Sequence, residues 1–134
     1  MNATSLSNVD VVKKAFECLF AGPDWEGLSA WLADDCQLFE APTLPYGGTY
    51  SGKPAVIAGI KAVFAAFNDF SYQVQEIFSE KDKVIVQVEL TATGRKTGKT
   101  FSMPLLELWR LRGGKIVEIR PVYFDTARVN EVFG

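Results

Sequence analysis

The sequence predicts one α+β domain, with its helices early and an antiparallel sheet late. Three observations predict it. Apolar residues recur at helical spacing through Phe67, interrupted by one short strand. From Phe70 onward the period changes to two, with many β-branched residues. Short polar or glycine turns separate these late runs, as hairpins require. Helices followed by strands argue for helices packed on one face of a bent sheet. A sheet that curls round its helices leaves a cavity, where small ligands bind. A length of 134 residues suits a single domain over residues 1–134 with its own core.

Each element follows from local signals. Ser7 or Asn8 caps a helix in which Val12, Ala15, Phe16, Leu19 and Phe20 share a stripe, and Gly22-Pro23 stops it. Asp24 caps a second, short helix with Trp25, Leu28, Trp31 and Leu32 on one face. Asp34-Asp35 leads into a strand over 36–40. Residues 41–52 hold two prolines and three glycines and read as a loop. Ser51 or Gly52 begins a third helix, with Pro54 in its first turn and Val56, Ile57, Ile60, Val63, Phe64 and Phe67 as its buried stripe. Strands follow over 70–78, 84–93, 101–112 and 116–124. Lys81-Asp82-Lys83, the polar stretch 94–99 and Gly113-Gly114 turn between them. Pro104 within the third of these strands argues for an edge position or a bulge.

Composition excludes several classes of function. The net charge is −2, so no broad basic field exists to hold nucleic acid. The hydrophobic share of 48% and charged share of 22% are those of a globular protein rather than a disordered one. Cys18 and Cys36 are too few for a disulfide framework and read as small apolar core residues. The chain has no histidine, which removes Ser-His-Asp, Cys-His and His–metal chemistry together. No metal or cofactor is expected. The opening residues lack a basic start followed by an apolar stretch, and no apolar run is long enough to span a membrane. The expectation is a soluble, cytoplasmic protein. No Gly-rich phosphate loop follows a strand: Gly47-Gly48 lacks the motif, and 94–100 has the wrong spacing.

Acid–base work must therefore come from Asp, Glu, Tyr, Lys or Arg. Burying a charge is costly without a partner or a purpose, so ionisable groups on apolar stripes draw notice. Alternation over 101–112 puts Phe101, Met103, Leu105, Glu107, Trp109 and Leu111 on one face, with Glu107 its one acid. Glu107 either lines a pocket or pairs with an arginine across the sheet. Glu40 ends the first strand beside the Pro- and Gly-rich loop, where it either meets a ligand or is solvated. On the last strand alternation groups Ile116, Glu118, Arg120, Val122 and Phe124. Arg120 is a candidate to orient a carboxylate or stabilise an oxyanion. Asp125 is either a catalytic acid or the cap of a turn over 126–129. Tyr46, Tyr50, Tyr72 and Tyr123 offer aromatic walls with polar tips, as do the tryptophans.

Three stretches together invite a family comparison. They are Leu32-Ala33-Asp34-Asp35, the run from Tyr50 to Val56, and the run from Trp109 to Arg120, with Tyr123-Phe124-Asp125 after them. Over nearly the whole chain the sequence resembles the SnoaL-like and ketosteroid-isomerase-like branch of the nuclear-transport-factor-two-like superfamily. The resemblance implies a cone-shaped, curved mixed sheet wrapped around three helices and enclosing a pocket, in a homodimer. It implies Glu40 as the general base at the end of the first strand. Glu107 is the nearest match to the acid that hydrogen-bonds to the substrate oxygen. The first-helix tyrosine of that site is replaced here, because Phe16 and Phe20 stand in its region. The His–Asp version used by the family's polyketide cyclases has no histidine to work with. The arginine of the epoxide-hydrolase pattern is absent where Gln87 and Glu89 stand, while Arg120 and Asp125 fit its second half. Tyr46, Phe16, Trp31, Trp109, Tyr123 and Met103 are the expected pocket walls. Three functions follow: an acid–base enzyme on a small hydrophobic carbonyl or cyclic compound, a non-catalytic binding module for such a molecule, or a dimeric interaction scaffold.

Overall fold

The structure, a computed structural model, describes residues 6–134. The chain runs α1 (Asn8–Phe20), α2 (Trp25–Trp31), β1 (Leu32–Glu40), β2 (Gly48–Ser51), α3 (Lys53–Ala66), β3 (Phe67–Glu80), β4 (Lys83–Gly94), β5 (Thr100–Arg112), β6 (Lys115–Tyr123) and α4 (Thr126–Phe133). Ser7 and Asp24 cap the first two helices, each accepting from a backbone N–H three residues on. Gly52 opens α3 with φ of 90°, a conformation that favours glycine, and Pro54 sits in the first turn.

The six strands form one curved, unclosed mixed sheet in the order β2-β1-β6-β5-β4-β3. β1 and β6 pair in parallel, and every other pair is antiparallel. Register shifts interrupt β3 twice, β1 once and β6 once, and such extra residues bend and twist a strand. The sheet's concave face takes Val11, Val12 and Ala15 of α1, and Val56, Ile60 and Val63 of α3, into one core. In β4 and β5 the inward residues alternate without a break, from Val84 to Ala92 and from Phe101 to Leu111. Gly113 and Gly114 turn the last hairpin with φ of 57° and 80°, the pair of left-handed residues that a type I′ turn needs.

Several expectations need correction. The stretch 41–52 is not all loop: Gly48–Ser51 adds a short edge strand to β1. The strand after α2 starts at Leu32, which is not the last turn of the helix, and Phe67 opens β3 rather than ending α3. Asp125 begins an eight-residue helix, α4, not a mere turn. Val129 and Val132 of that helix are buried, and the Val132 carbonyl lies where a Cβ on Gly94 would be. Pro104 lies in an internal strand. It pairs with Glu89 on β4, while β6 ends at Tyr123 opposite Leu105. No strand flanks Pro104 on that side, so its missing N–H loses no ladder bond there. On β6, Glu118 pairs with Arg110 and Ile116 with Leu111, which leaves Val117 as an extra residue. Ile116 therefore joins Ile119, Pro121 and Tyr123 inside instead of sharing a face with Arg120.

No helix among the described residues is long and apolar enough to cross a membrane.

Candidate active site

Alternation along β1 turns Cys36, Leu38 and Glu40 inward, and along β5 it turns Leu105, Glu107 and Trp109 inward. Leu38 lies beside Ile119 on β6, and Pro121, two residues further on, lies opposite Glu107. The two acids thus flank β6 on the concave face, with Pro121 between them. Glu40 is 7% exposed and Glu107 4%, and both line one internal cavity of about 40 Å³. That space holds a few waters at most.

The two carboxyls have different surroundings. Tyr72 Oη donates to Glu107 Oε2 at 2.7 Å, and Trp109 Nε1 donates to Glu107 Oε1 at 3.1 Å. Glu40 Oε1 is buried and has no hydrogen-bond partner among the described residues. Burial pushes the Glu107 carboxyl up to about 7, against the pull of its two donors, which favour the charged form. Burial pushes Glu40 up to about 8, and the charge of Glu107 adds to that rise. Among the described residues, no lysine or arginine lines the cavity. Burial also raises the Tyr72 and Tyr123 hydroxyls, so both stay neutral at ordinary pH.

Aromatic rings close the solvent side. Phe20, Phe64, Phe70 and Tyr72 form a closed circuit, each ring centroid within 5.7 Å of the next. All four are half-buried and line the cavity. Beyond Phe20 and Tyr72 lies an open groove between α1 and β3, bordered by Phe16 and Val74. These two rings are therefore the partition between groove and cavity.

The remaining expected residues separate clearly. Trp109 and Tyr123 line the cavity. Tyr46 is one layer behind, its hydroxyl 2.9 Å from that of Tyr123. Phe16 backs the wall, edge-on to Trp109 at 5.5 Å and to Tyr72 at 6.0 Å. Met103 is buried in the core but does not reach the cavity, and half-buried Trp31, at the end of α2, does not either. Arg120 departs from its expected place. It is exposed, its Nε donates to Glu118 at 3.0 Å, and its guanidinium lies 4.0 Å over the Phe39 ring. It borders a separate, open cleft at the rim of the sheet, whose other walls include Glu40, Pro121 and Tyr123. Asp125 also departs: its carboxylate accepts from the Arg128 backbone N–H at 3.1 Å and caps α4. Among the described residues, no group of three or more His, Cys, Asp or Glu is placed to hold a metal ion.

Tyr72 is the polar partner that sequence reading singled out only as a wall. Its pairing with Leu90 puts it four residues along β4 from Val86, the neighbour of Glu107. Curvature and the bulge at Gln75 bring the two side chains together, and alternation carries no sign of that.

The fold recurs widely among solved structures. A nuclear-transport-factor-two-like protein from Burkholderia thailandensis superposes with a TM-score of 0.88 at 21% identity, over 97% of this chain and 99% of that one. A putative SnoaL-like polyketide cyclase from Jannaschia gives 0.82 at 18%, over 98% and 99%. A hypothetical protein with a ketosteroid-isomerase-like fold from Catenulispora acidiphila, in complex with trimethylamine, gives 0.75 at 16%, over 90% and 91%. No curated protein matches the chain. At these identities the likeness shows the fold. The sequence pattern of the SnoaL-like domain matches residues 12–119, most of the chain, in keeping with the cone-like sheet: the chain belongs to the SnoaL-like family.

Proposed function

We propose that the protein is an acid–base enzyme acting on a small hydrophobic carbonyl or cyclic compound, as an isomerase, cyclase or hydrolase that needs neither histidine nor metal. One observation carries the reading: Glu40 and Glu107, both buried, face the same apolar cavity. One carboxyl can take a proton from a carbon next to a carbonyl while the other supports the oxygen that gains charge. Low polarity in the cavity strengthens both interactions. A panel of small cyclic ketones in D2O, followed by NMR for exchange of the α-hydrogens, tests it. Glu40→Gln and Glu107→Gln should each slow exchange about 100-fold or more with the fold unchanged. Exchange that is absent with every ketone, or indifferent to both changes, would overturn the reading.

A specific observation favours a second reading as a binding module or scaffold: the cavity is small and the four-ring circuit closes it. A ligand entering from the groove between α1 and β3 must displace Phe20 or Tyr72. Binding without turnover, with Glu40→Gln altering affinity alone, would support it. We also propose a homodimer through the outer face of the sheet, where Leu106 is 45% exposed and Val122, its partner on β6, 54%. Light scattering should give a dimer mass, and Leu106→Glu with Val122→Glu should halve it.

A further inference from the structure

We propose that the two carboxyls divide their roles in the reverse of what their places on the strands imply: Glu107 is the carboxylate that takes the proton from carbon, and Glu40 is the neutral acid that protonates the carbonyl oxygen. This rests on the acid–base reading of the same cavity.

The hydrogen-bond geometry carries it. Trp109 Nε1–H can only donate, so Glu107 Oε1 must offer it a lone pair. Tyr72 donates to the other oxygen at 2.7 Å, so both oxygens of Glu107 accept from a neighbour. Two donors on one carboxyl stabilise its charge and still leave lone pairs free to accept a proton. Glu40 has the opposite surroundings. A charged carboxylate with a bare buried oxygen costs more than a neutral carboxyl. As the acid, it keeps an O–H to offer a ligand oxygen.

Nothing else in the cavity alters this order. α1 and α3 contribute only apolar side chains such as Leu19, Ile60 and Phe64. β3 contributes Tyr72, β5 Glu107 and Trp109, β6 Tyr123, and β1 Glu40. Tyr46, behind, is bonded to Tyr123. Among the described residues no cation lines this cavity, and Arg120, which borders a neighbouring cleft with Glu40, is bonded to Glu118, so a second negative charge has no free counterpart. The directions set by burial agree: Glu107, with its donors, stays below Glu40, which the Glu107 charge raises further.

The step balances without a co-reactant. Glu107 takes a proton from the carbon next to the carbonyl. The C–H electron pair forms the C=C bond, and the carbonyl π pair moves to oxygen, which takes the Glu40 proton. The product is a neutral enol, Glu107 is protonated, and Glu40 is the carboxylate. The cavity carries one negative charge before and after. Return of the Glu107 proton to a different carbon, and of the enol proton to Glu40, completes an isomerisation.

Carboxyl ¹³C NMR of ligand-free protein labelled at the glutamate side-chain carbons tests the order. Glu40→Gln and Glu107→Gln assign the two signals, and circular dichroism confirms their fold. Glu107 should titrate first. Tyr72→Phe and Trp109→Phe should each raise its midpoint by about half a pH unit or more, and Glu107→Gln should lower that of Glu40. Glu40 titrating first, the two titrating together, or a Glu107 midpoint unmoved by Tyr72→Phe and Trp109→Phe would overturn the proposal. A reversed order with hydrogen exchange intact would sink this assignment alone. An absent exchange with the order intact would sink the enzyme reading instead.

Discussion

Glu107 and Glu40 are the same residue type in the same cavity, yet the chain treats them differently. Glu107 sits mid-strand on β5, where unbroken alternation buries it and two neighbours bond both its oxygens. Glu40 ends β1 beside the loop, buried with one oxygen bare. The first is built into its surroundings, and the second is tolerated by them. A buried polar group left unbonded costs stability, so persistence of such a group points to use rather than to folding.

The largest expected effect is a dependence of stability on pH. Both carboxyls have raised values in the folded protein, from 4.5 to about 8 for Glu40 and about 7 for Glu107. Between those limits the native protein holds protons that the unfolded chain has released. Stability is therefore full below about 4.5, falls as pH rises through the window, and levels off above about 8. Glu40→Gln removes the larger part of that fall. Its unfolding free energy should match that of the wild type at pH 4.5 and exceed it by about 4 kcal/mol at pH 9, in urea titrations. Parallel curves at the two pH values would mean that Glu40 is not confined as described.

A smaller effect separates the two residues by sign. At pH 5 both carboxyls are largely neutral in the native state, so hydrogen bonding decides. Glu107→Leu leaves the Trp109 N–H and Tyr72 O–H without acceptors and should cost about 2 kcal/mol. Glu40→Leu removes an unbonded oxygen and should gain about 1 kcal/mol. Shifts of the same sign in urea midpoints would break the comparison.

The same contrast governs what can be read from sequence. Glu107 was legible as the one acid on an apolar stripe because β5 keeps strict period-two alternation. Glu40 was legible by its place at a strand end, and the family resemblance gave each acid a role, but that the two face one cavity was not legible. Beyond that, bulges and curvature take over. The extra Val117 on β6 carried Ile116 inward, and the bend in β3 brought Tyr72 to Glu107. Both are tertiary events with no local period. β2 hid among glycines because a four-residue edge strand needs little β propensity. α4 hid because only Val129 and Val132 of its residues are fully buried. Asp125 announced an N-cap correctly and a catalytic acid at the same time. Its hydrogen bond to Arg128 shows the cap, and Asp125→Ala should lower stability by about 1 kcal/mol in thermal melts. A loss of hydrogen exchange with no loss of stability would restore it to the site.

The smallest expected effect concerns Arg120, the charge that would most readily have supported an oxyanion. It lies on the outer face, exposed, tied to Glu118 and stacked on Phe39. An exposed ion pair and a surface cation–π contact are each worth about 0.5 kcal/mol. Arg120→Ala should therefore change stability by at most about 1 kcal/mol and leave the rate of α-hydrogen exchange within about twofold. It should also leave both carboxyl titrations where they were, because its charge is exposed to water and already paired with Glu118. A shift of either midpoint by a full pH unit would show that the outer face reaches the pair. The single charge of Glu107 would then have a counterpart after all, and the neutral state of Glu40 would need another cause.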